Sequence, residues 1–222
     1  MKAMVLAAGR GERMGTLTDS CPKPLLPVAG KPLLRHQLEH LAQAGIKSVV
    51  VNASYLREQV ESFLARQTDL GMHICVSPEP ERLETGGGIH NALPLLGSEP
   101  FLLVNSDVWC DYPLERLPMR PPGLAHLVLV NNPQHNPAGD FALLGQDVAV
   151  EGGLRYTFSG ISVLRPELFM GCEPGRFPLA PLLRDAMTRG EVQGELYDGC
   201  WVDVGTPERL LMVEQMLQEQ AQ

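Results

Sequence analysis

The sequence predicts an α/β fold with a mainly parallel sheet flanked by helices and a small antiparallel lobe in the second half. Three observations support this prediction. Short apolar runs alternate with helical patterns up to about residue 105. Beyond residue 107, several strand candidates follow one another without helices between them, which is typical of antiparallel pairing. The 222 residues are 44% hydrophobic, which is enough to bury a substantial core.

The first half is predicted to alternate strands with helices. The apolar run at 4–8 has the length of a buried strand. Leu34, Leu38 and Leu41 then recur at helical spacing. The remaining predicted elements of this half are a strand at 48–52, a helix at 56–66, a strand at 72–77, a helix that follows the three glycines at 86–88 and ends near 95, and a strand at 101–105. Right-handed crossovers between such strands produce a parallel sheet.

The second half shows a different order of predicted elements. An apolar strand candidate at 125–130 is followed by a loop at 131–139 that is rich in Asn and Pro. The later predicted elements are strands at 141–144, 148–150 and 156–164, a helix at 181–188, a strand at 201–204 and a C-terminal helix that begins at 206–207. Neighbouring strands without helices predict the antiparallel lobe.

Composition excludes several classes of function. The net charge of -8 argues against binding to a nucleic acid polymer. Positive charge is nevertheless concentrated locally, because all four lysines lie in the first quarter of the chain (Lys2, Lys23, Lys31 and Lys47). Five scattered cysteines without a CxxC pair indicate reduced thiols rather than a zinc site or a disulfide framework. No apolar run is long enough to span a membrane, so we expect a cytoplasmic protein.

A glycine turn follows the first predicted strand. Gly9 and Gly11 let the backbone curl and present N–H groups to an anion, while Arg13 and Lys23 supply positive charge nearby. A dinucleotide fingerprint would need Gly or Ala where Met14 stands, and a Walker A loop would need Gly-Lys-Ser/Thr. This pattern indicates a different phosphate-binding loop. An ordinary βα turn with solvated arginines is the alternative.

Two aspartates are candidate metal ligands. Asp107 follows the strand predicted at 101–105, and Asp203 lies in the short apolar run at 201–204. Ligands of open α/β sheets bind outside the carboxyl ends of the strands, where two carboxylates could share one Mg²⁺ with phosphate oxygens. The alternative is that each aspartate is a helix cap or a turn residue. Three consecutive glycines at 86–88 similarly indicate either close approach of a flat or anionic group, or a structural turn.

These motifs resemble those of the sugar-1-phosphate nucleotidylyltransferases. LAAGRGERM at 6–14 and PKPLLPVAGKPL at 22–33 look like the family signature, and NSD at 105–107 and WVDVGTP at 201–207 match its two metal-bearing segments in order. The similarity covers nearly the whole chain. Within the family, LETGGGI at 83–89, NSDVW at 105–109 and GDF at 139–141 look most like a bacterial uridylyltransferase branch.

The resemblance implies a Rossmann-like nucleotide-diphospho-sugar transferase fold in one domain spanning 1–222. The nucleotide-binding half would cover about 1–110, and the sugar-binding half, with the second metal aspartate, about 111–222. It also implies UTP and a sugar 1-phosphate as substrates, Mg²⁺ as cofactor, and a monomer or small homo-oligomer. The resemblance assigns the nucleotide to the backbone of Ala8, Gly9 and Gly11 and the triphosphate to Arg13 and Lys23. It implies base and ribose contacts for Glu79, Thr85, Gly86 and Gly87, and ribose or sugar contacts for Asn105. Asp107 and Asp203 would bind the metal, and Asp140 and Glu151 would bind the sugar. Catalysis would depend on Arg13, Lys23 and Asp107.

The sequence departs from the family pattern at two places. Many members have Arg-Pro-Leu-Thr where this chain has Gly-Thr-Leu-Thr at 15–18. Many also bind the sugar phosphate with a lysine of the second lobe, but no lysine follows Lys47, so Arg155 is the candidate replacement. Guanylyl transfer to a heptose or mannose 1-phosphate, cytidylyl transfer to phosphocholine, and a non-catalytic nucleotide sensor are therefore kept as alternatives.

Overall fold

A computed structural model describes residues 1–220, in which the chain forms thirteen strands and five α-helices. The strands are β1 (Lys2–Leu6), β2 (Pro27–Val28), β3 (Lys31–Pro32), β4 (Ser48–Ala53), β5 (His73–Pro78), β6 (Phe101–Asn105), β7 (Val108–Cys110), β8 (Ala125–Val130), β9 (Phe141–Leu144), β10 (Asp147–Ala149), β11 (Arg155–Leu164), β12 (Val192–Tyr197) and β13 (Trp201–Asp203). The helices are α1 (Leu33–Gln43), α2 (Arg57–Leu64), α3 (Glu84–Leu96), α4 (Ala180–Thr188) and α5 (Pro207–Gln220).

Nine strands form one central sheet in the order β5-β4-β1-β6-β11-β8-β12-β10-β9. Strands β5, β4, β1 and β6 are parallel, whereas β11 runs antiparallel to both β6 and β8. The predicted α/β class and the antiparallel strands of the second half are confirmed. The antiparallel strands extend the same sheet, because β11 pairs with β6 along one edge and with β8 along the other. One sheet therefore runs through both predicted halves.

The core has two layers, one on each face of the sheet. Ala3 and Val5 of β1 point into one layer and Met4 into the other, as the alternation of side chains along a strand requires. Helices α1 and α2 cover the first layer with residues such as Leu38 and Val60. Helices α3 and α4 cover the second. Both faces of β1 are thus buried, which explains its uninterrupted apolar run.

Three local features differ from the sequence-based expectations. Strands β2, β3, β7 and β12 were not predicted, and β13 pairs with β7 in a separate two-stranded sheet instead of joining the central sheet. Strand β7 is short and follows β6 almost without interruption, so the pattern of apolar residues does not separate the two. The three glycines at 86–88 lie inside α3, not before it.

Close packing explains the three glycines of α3. A Cβ atom on Gly86 would lie 2.5 Å from the Phe177 ring, and one on Gly87 would lie 2.1 Å from the carbonyl oxygen of Gly175. A Cβ atom on Gly88 would lie 2.5 Å from Oε1 of Glu79. The helix therefore approaches two other segments more closely than any side chain would permit.

We expect Gly87→Ala to destabilise the protein, although alanine normally stabilises a helix interior by about 1 kcal/mol relative to glycine. The clash with a backbone oxygen should instead cost about 1–3 kcal/mol, which corresponds to a decrease in Tm of about 2–4 °C per kcal/mol for a chain of this size. Thermal unfolding measures the change. Leu95→Ala, on an exposed side of the same helix, is the control and should have a smaller effect. A Gly87→Ala protein that is more stable than the parent would contradict the packing argument.

Candidate active site

Three adjoining cavities open at the carboxyl ends of β1 and β6. The glycine-turn cavity is lined by Ala8, Gly9, Lys23, Asn52, Glu79, Arg82, Thr85, Asn105 and Asp107, among others. The aspartate cavity is lined by residues that include Arg13, Asn105, Asp107, His135, Trp201 and Asp203. The apolar cavity is lined by residues that include Thr85, Leu103, Asn105, Asp140, Phe141, Phe158, Leu183 and Arg184. Asn105 lines all three cavities, so they adjoin at this residue.

The glycine turn positions Lys23. Gly11 has φ of 72°, in the left-handed region that favours glycine, and it precedes a 3-10 helix at Glu12–Thr18. A Cβ atom on Gly11 would lie 2.8 Å from Cβ of Lys23, so the lysine side chain lies directly on this glycine. The Lys23 side chain is 8% exposed, and its Nζ forms an ion pair with Oδ2 of Asp107. Gly11 thus supports the lysine instead of lining a cavity itself.

The pairing of β7 with β13 brings the two aspartates together. Asp203 lies opposite Val108 in the ribbon, and the backbone N–H of Val204 donates a hydrogen bond of 2.8 Å to the carbonyl oxygen of Asp107. Both carboxylates line the aspartate cavity. The notion that each is an isolated cap or turn residue does not account for this convergence.

Basic side chains surround Asp203. Its Oδ2 accepts a hydrogen bond of 2.8 Å from Arg209 and lies 3.3 Å from Nε2 of His135. The guanidinium groups of Arg13 and Arg209 both lie against Gly205, where a Cβ atom would be 2.9 Å from the first and 2.4 Å from the second. A chain with a net charge of -8 therefore concentrates positive charge at this point.

The chemistry of the donors fits a hard divalent cation that is bound together with phosphate. No cluster of three or more His, Cys, Asp or Glu side chains suited to a metal occurs within residues 1–220. Asp107 and Asp203 would supply two carboxylates, and Mg²⁺ commonly takes one or two carboxylates with phosphate and water as its other ligands. Each carboxylate already has a cationic neighbour, Lys23 or Arg209, which could move to phosphate oxygens.

A buried hydrogen-bond network supports the floor of the glycine-turn cavity. The backbone N–H of Ala7 donates to Oδ1 of Asn52 at 2.7 Å, and Nδ2 of Asn52 donates to Oε1 of Glu79 at 2.7 Å. Oε2 of Glu79 accepts a hydrogen bond of 3.0 Å from the N–H of Leu83. Glu79 is 2% exposed, and both of its carboxylate oxygens are bonded within the protein. This carboxylate therefore holds the ends of β1, β4 and α3 in place.

Gly86 and Gly87 line none of the three cavities. Both pack against residues 175–178, and the N–H of Gly87 donates to the carbonyl oxygen of Phe177 at 2.9 Å. The positions that Cβ atoms on Gly86 and Gly87 would take are filled by protein, and their contact with the base and ribose stays a prediction. Thr85, in contrast, lines two cavities while its hydroxyl accepts a hydrogen bond from the N–H of Leu179.

Of the three predicted sugar contacts in the second half, the structure brings one to a cavity. Asp140 lines the apolar cavity, where Oδ2 accepts a hydrogen bond of 2.8 Å from the N–H of Phe158 and Oδ1 accepts one from Asn136. Glu151 lies in the exposed turn between β10 and β11, outside all three cavities. Arg155 is also outside them, because its guanidinium donates to backbone carbonyls, including that of Asp140 at 2.8 Å. Contact of Glu151 and Arg155 with the sugar therefore stays a prediction that the three cavities do not support.

Sequence reasoning missed Asn52, Arg82, His135 and Arg184, which all line these cavities. Asn52 had a detectable signal, since it lies near the carboxyl end of a predicted parallel strand, as Asn105 does. Arg82, His135 and Arg184 had none, because exposed charged residues in loops and on helices are common.

Thiols near the site are kept neutral. All five cysteines are free. Burial raises the pKa of Cys110, in β7, to about 12, and burial also raises the pKa of Cys200. A thiol with such a pKa is protonated at neutral pH, so these side chains are not activated nucleophiles.

Within residues 1–220, no helix combines the length and the apolar composition that crossing a bilayer would demand.

Comparison with known proteins identifies the family. The model of the nucleotidyl transferase family matches residues 2–141, more than half of the 222 residues, and the chain therefore belongs to this family. Members generally use a divalent metal ion. A relative from Neisseria meningitidis serogroup B, named N-acetylmuramate alpha-1-phosphate uridylyltransferase, is 50% identical, and the alignment covers 95% of each chain. A protein of the same name from Caulobacter vibrioides is 33% identical and is matched over 97% of its length and 98% of this chain.

Solved structures confirm the fold. A structure from Bacillus anthracis, described as a glucose-1-phosphate thymidylyltransferase in complex with a sucrose, matches with a TM-score of 0.86. The match covers 99% of this chain and 96% of that one, and at 18% sequence identity it shows the fold alone. The family resemblance predicted from the glycine-turn and aspartate motifs is thus confirmed.

We expect Glu79→Ala to destabilise the protein, because it would leave the buried Asn52 amide and the half-buried N–H of Leu83 without an acceptor. Each unsatisfied donor costs about 1–3 kcal/mol. The substitution should also raise the KM for the nucleotide, since the floor of the glycine-turn cavity would relax. Urea unfolding and steady-state kinetics measure the two effects. Glu79→Gln keeps one acceptor and should be the milder variant, so equal stability of both proteins would argue against the network.

We expect Gly11→Ala to lower turnover while the protein stays folded. The new methyl group would push the Lys23 side chain off the turn, and the backbone would be strained at a φ of 72°. The control is Gly30→Ala in the turn between β2 and β3, where φ is a similar 79° but an added Cβ atom would have no neighbour within 4 Å. A loss of kcat/KM in Gly30→Ala as large as that in Gly11→Ala would contradict the role of Gly11 in supporting Lys23.

Proposed function

We propose that this chain transfers a uridylyl group from UTP to N-acetylmuramic acid 1-phosphate, giving UDP-N-acetylmuramic acid and pyrophosphate, as a step in peptidoglycan recycling. The observation that carries the reaction class is the convergence of Asp107, Asp203 and Arg13 in one cavity, with Lys23 paired to Asp107. The choice of substrates is supported by the name of the relative that is 50% identical over nearly the full length of both chains.

In this proposal the nucleotide binds in the glycine-turn cavity. Ala8 and Gly9 present their backbone to UTP, and Asn105 contacts the ribose or the sugar. Lys23 and Arg13 bind the triphosphate. Thr85 stays beside the nucleotide because it lines this cavity, whereas Glu79 and Gly11 act indirectly, through the cavity floor and through Lys23.

The reaction is a direct displacement at the α-phosphorus of UTP. An oxygen of the sugar 1-phosphate attacks, a new P–O bond joins the two phosphates, and the bond from the α-phosphorus to the oxygen bridging to the β-phosphate breaks. The electron pair leaves with pyrophosphate. Because a phosphate monoester is largely ionised at neutral pH, no general base is required. Catalysis then depends on alignment and on neutralisation of charge.

Charge neutralisation is assigned to the residues around the two aspartates. Lys23 and Arg13 neutralise the pyrophosphate as it departs. Asp107 and Asp203 would hold Mg²⁺, which would supply further positive charge to the phosphates. Such electrostatic contacts are worth most in a site that excludes bulk water.

We further propose a single domain with its nucleotide-binding half at about 1–110 and its sugar-binding half at about 111–222. The continuous nine-stranded sheet supports this division within one domain.

Five free thiols favour a reducing compartment, and we propose the cytoplasm. The proposed active unit is a monomer or small homo-oligomer.

Pyrophosphate release tests the proposed function. The protein is incubated with UTP, GTP, CTP or dTTP and with N-acetylmuramic acid 1-phosphate, N-acetylglucosamine 1-phosphate, mannose 1-phosphate or phosphocholine. Release should be fastest with UTP and N-acetylmuramic acid 1-phosphate, and it should stop when EDTA removes divalent ions. Faster release with GTP or CTP would establish one of the other transferases. UTP binding without release for any acceptor would establish a sensor.

We expect Asp107→Asn and Lys23→Ala each to reduce kcat by about a hundredfold or more, the usual cost of losing one such electrostatic contact. Both variants should remain folded, as circular dichroism and thermal unfolding can check. Glu99→Gln is the control. It alters an exposed carboxylate that is paired with Arg120 just before β6, at the opposite end of that strand from the site. Near-parental kcat in a folded Asp107→Asn protein would remove this carboxylate from the mechanism.

A further inference from the structure

Arg184 has no protein partner in the apolar cavity. It lies on α4 and is the single basic residue among those that line this cavity. Its guanidinium makes no hydrogen bond or ion pair with any residue in the part of the chain that the structure describes. The adjacent carboxylate of Asp185 is instead paired with Arg189. Arg184 is therefore available to a ligand in the cavity.

The apolar cavity is separate from the cations that face the phosphates. Asp107, Asp203 and Arg13 line the aspartate cavity and not the apolar one, and Arg184 lines the apolar cavity alone. Asn105 lies where the cavities meet. A ligand that places its phosphate beside the aspartates and extends into the apolar cavity would therefore reach Arg184 with a different part of the molecule.

We propose that Arg184 binds the carboxylate of the lactyl group of N-acetylmuramic acid 1-phosphate and thereby selects this sugar over sugars that lack the group. The inference rests on the proposed function and deepens it. N-acetylmuramic acid is N-acetylglucosamine with a lactic acid joined as an ether at O3, so its carboxylate leaves the ring at a different carbon from the 1-phosphate. The two anionic groups can therefore occupy two separate cavities.

The surroundings of Arg184 suit such an anion. Leu103, Phe141 and Leu183 form apolar walls that suit the methyl groups of the lactyl and acetyl substituents, while Arg184 itself is exposed. Guanidinium is planar and binds a carboxylate through two parallel hydrogen bonds, which a lysine cannot do.

The other charged group of the cavity does not neutralise Arg184. Both carboxylate oxygens of Asp140 accept hydrogen bonds within the protein, from the Phe158 N–H and the Asn136 side chain. Asp140 would repel an anionic substituent that had no counter-charge. Arg184 supplies that counter-charge, while a neutral sugar needs none.

Kinetics with two acceptors test the proposal. Parent, Arg184→Ala and Arg184→Lys proteins are assayed with UTP and either N-acetylmuramic acid 1-phosphate or N-acetylglucosamine 1-phosphate. Arg184→Ala should reduce kcat/KM for the first acceptor by about tenfold, chiefly through KM, which is the scale of a lost hydrogen-bonded charge pair. The same variant should change kcat/KM for the second acceptor by less than about twofold. Arg184→Lys should recover part of the loss. Arg120→Ala removes an exposed guanidinium that is paired with Glu99 and lines none of the three cavities; it is the control and should change kcat/KM for neither acceptor.

The outcomes separate this proposal from the proposed function. If the parent protein releases no pyrophosphate with UTP and N-acetylmuramic acid 1-phosphate, both proposals fail. If the parent is active but Arg184→Ala reduces kcat/KM equally for both acceptors, Arg184 acts on the phosphate or on the fold. Only the assignment to the lactyl carboxylate is then overturned. An active parent with an unchanged Arg184→Ala protein also overturns it.

Discussion

The pairing of β7 with β13 is the interaction on which the candidate site depends. This short ribbon joins a strand that directly follows β6 to a strand that directly precedes α5. The hydrogen bond from the N–H of Val204 to the carbonyl oxygen of Asp107 fixes the register in which the two aspartates face one cavity. The ribbon lies outside the nine-stranded sheet. The sheet therefore positions the glycine turn and Asn105, and the ribbon positions the two aspartates beside them.

Charge explains how an acidic protein can hold polyanions. Lys23, Arg13 and Arg209 converge on two carboxylates, and each cation has its position fixed by a glycine or by an ion pair. Gly11 lies beneath Lys23, and Gly205 lies beneath both arginines. These contacts hold the cations in place before a ligand arrives, so less of the binding free energy is lost in ordering their side chains.

The sequence predicted most of the fold because its strands are buried apolar runs bounded by clear turns. The site was predicted in part, since the glycine turn and both aspartates lie in compact motifs. The limit of predicting the site from sequence is clear at Glu79, Gly86 and Gly87. Their motif is visible in the sequence, but their role depends on residues 175–178 and on Asn52, which are distant in the chain. A pattern of glycines is the same whether a ligand or another protein segment fills the space beside it.

The second half of the chain was the hardest part to interpret because its charged residues lie on the surface. There, the sequence alone does not distinguish a side chain that stabilises a loop from one that binds a ligand. Arg155 was the expected replacement for the missing lysine, yet its guanidinium is committed to backbone carbonyls beside Asp140. Arg184 carries the same charge and lines the cavity without such commitments. What distinguishes the two arginines is whether the protein already satisfies their donors. An arginine whose donors are already bonded within the protein fixes a loop, and one whose donors remain open can recognise a ligand.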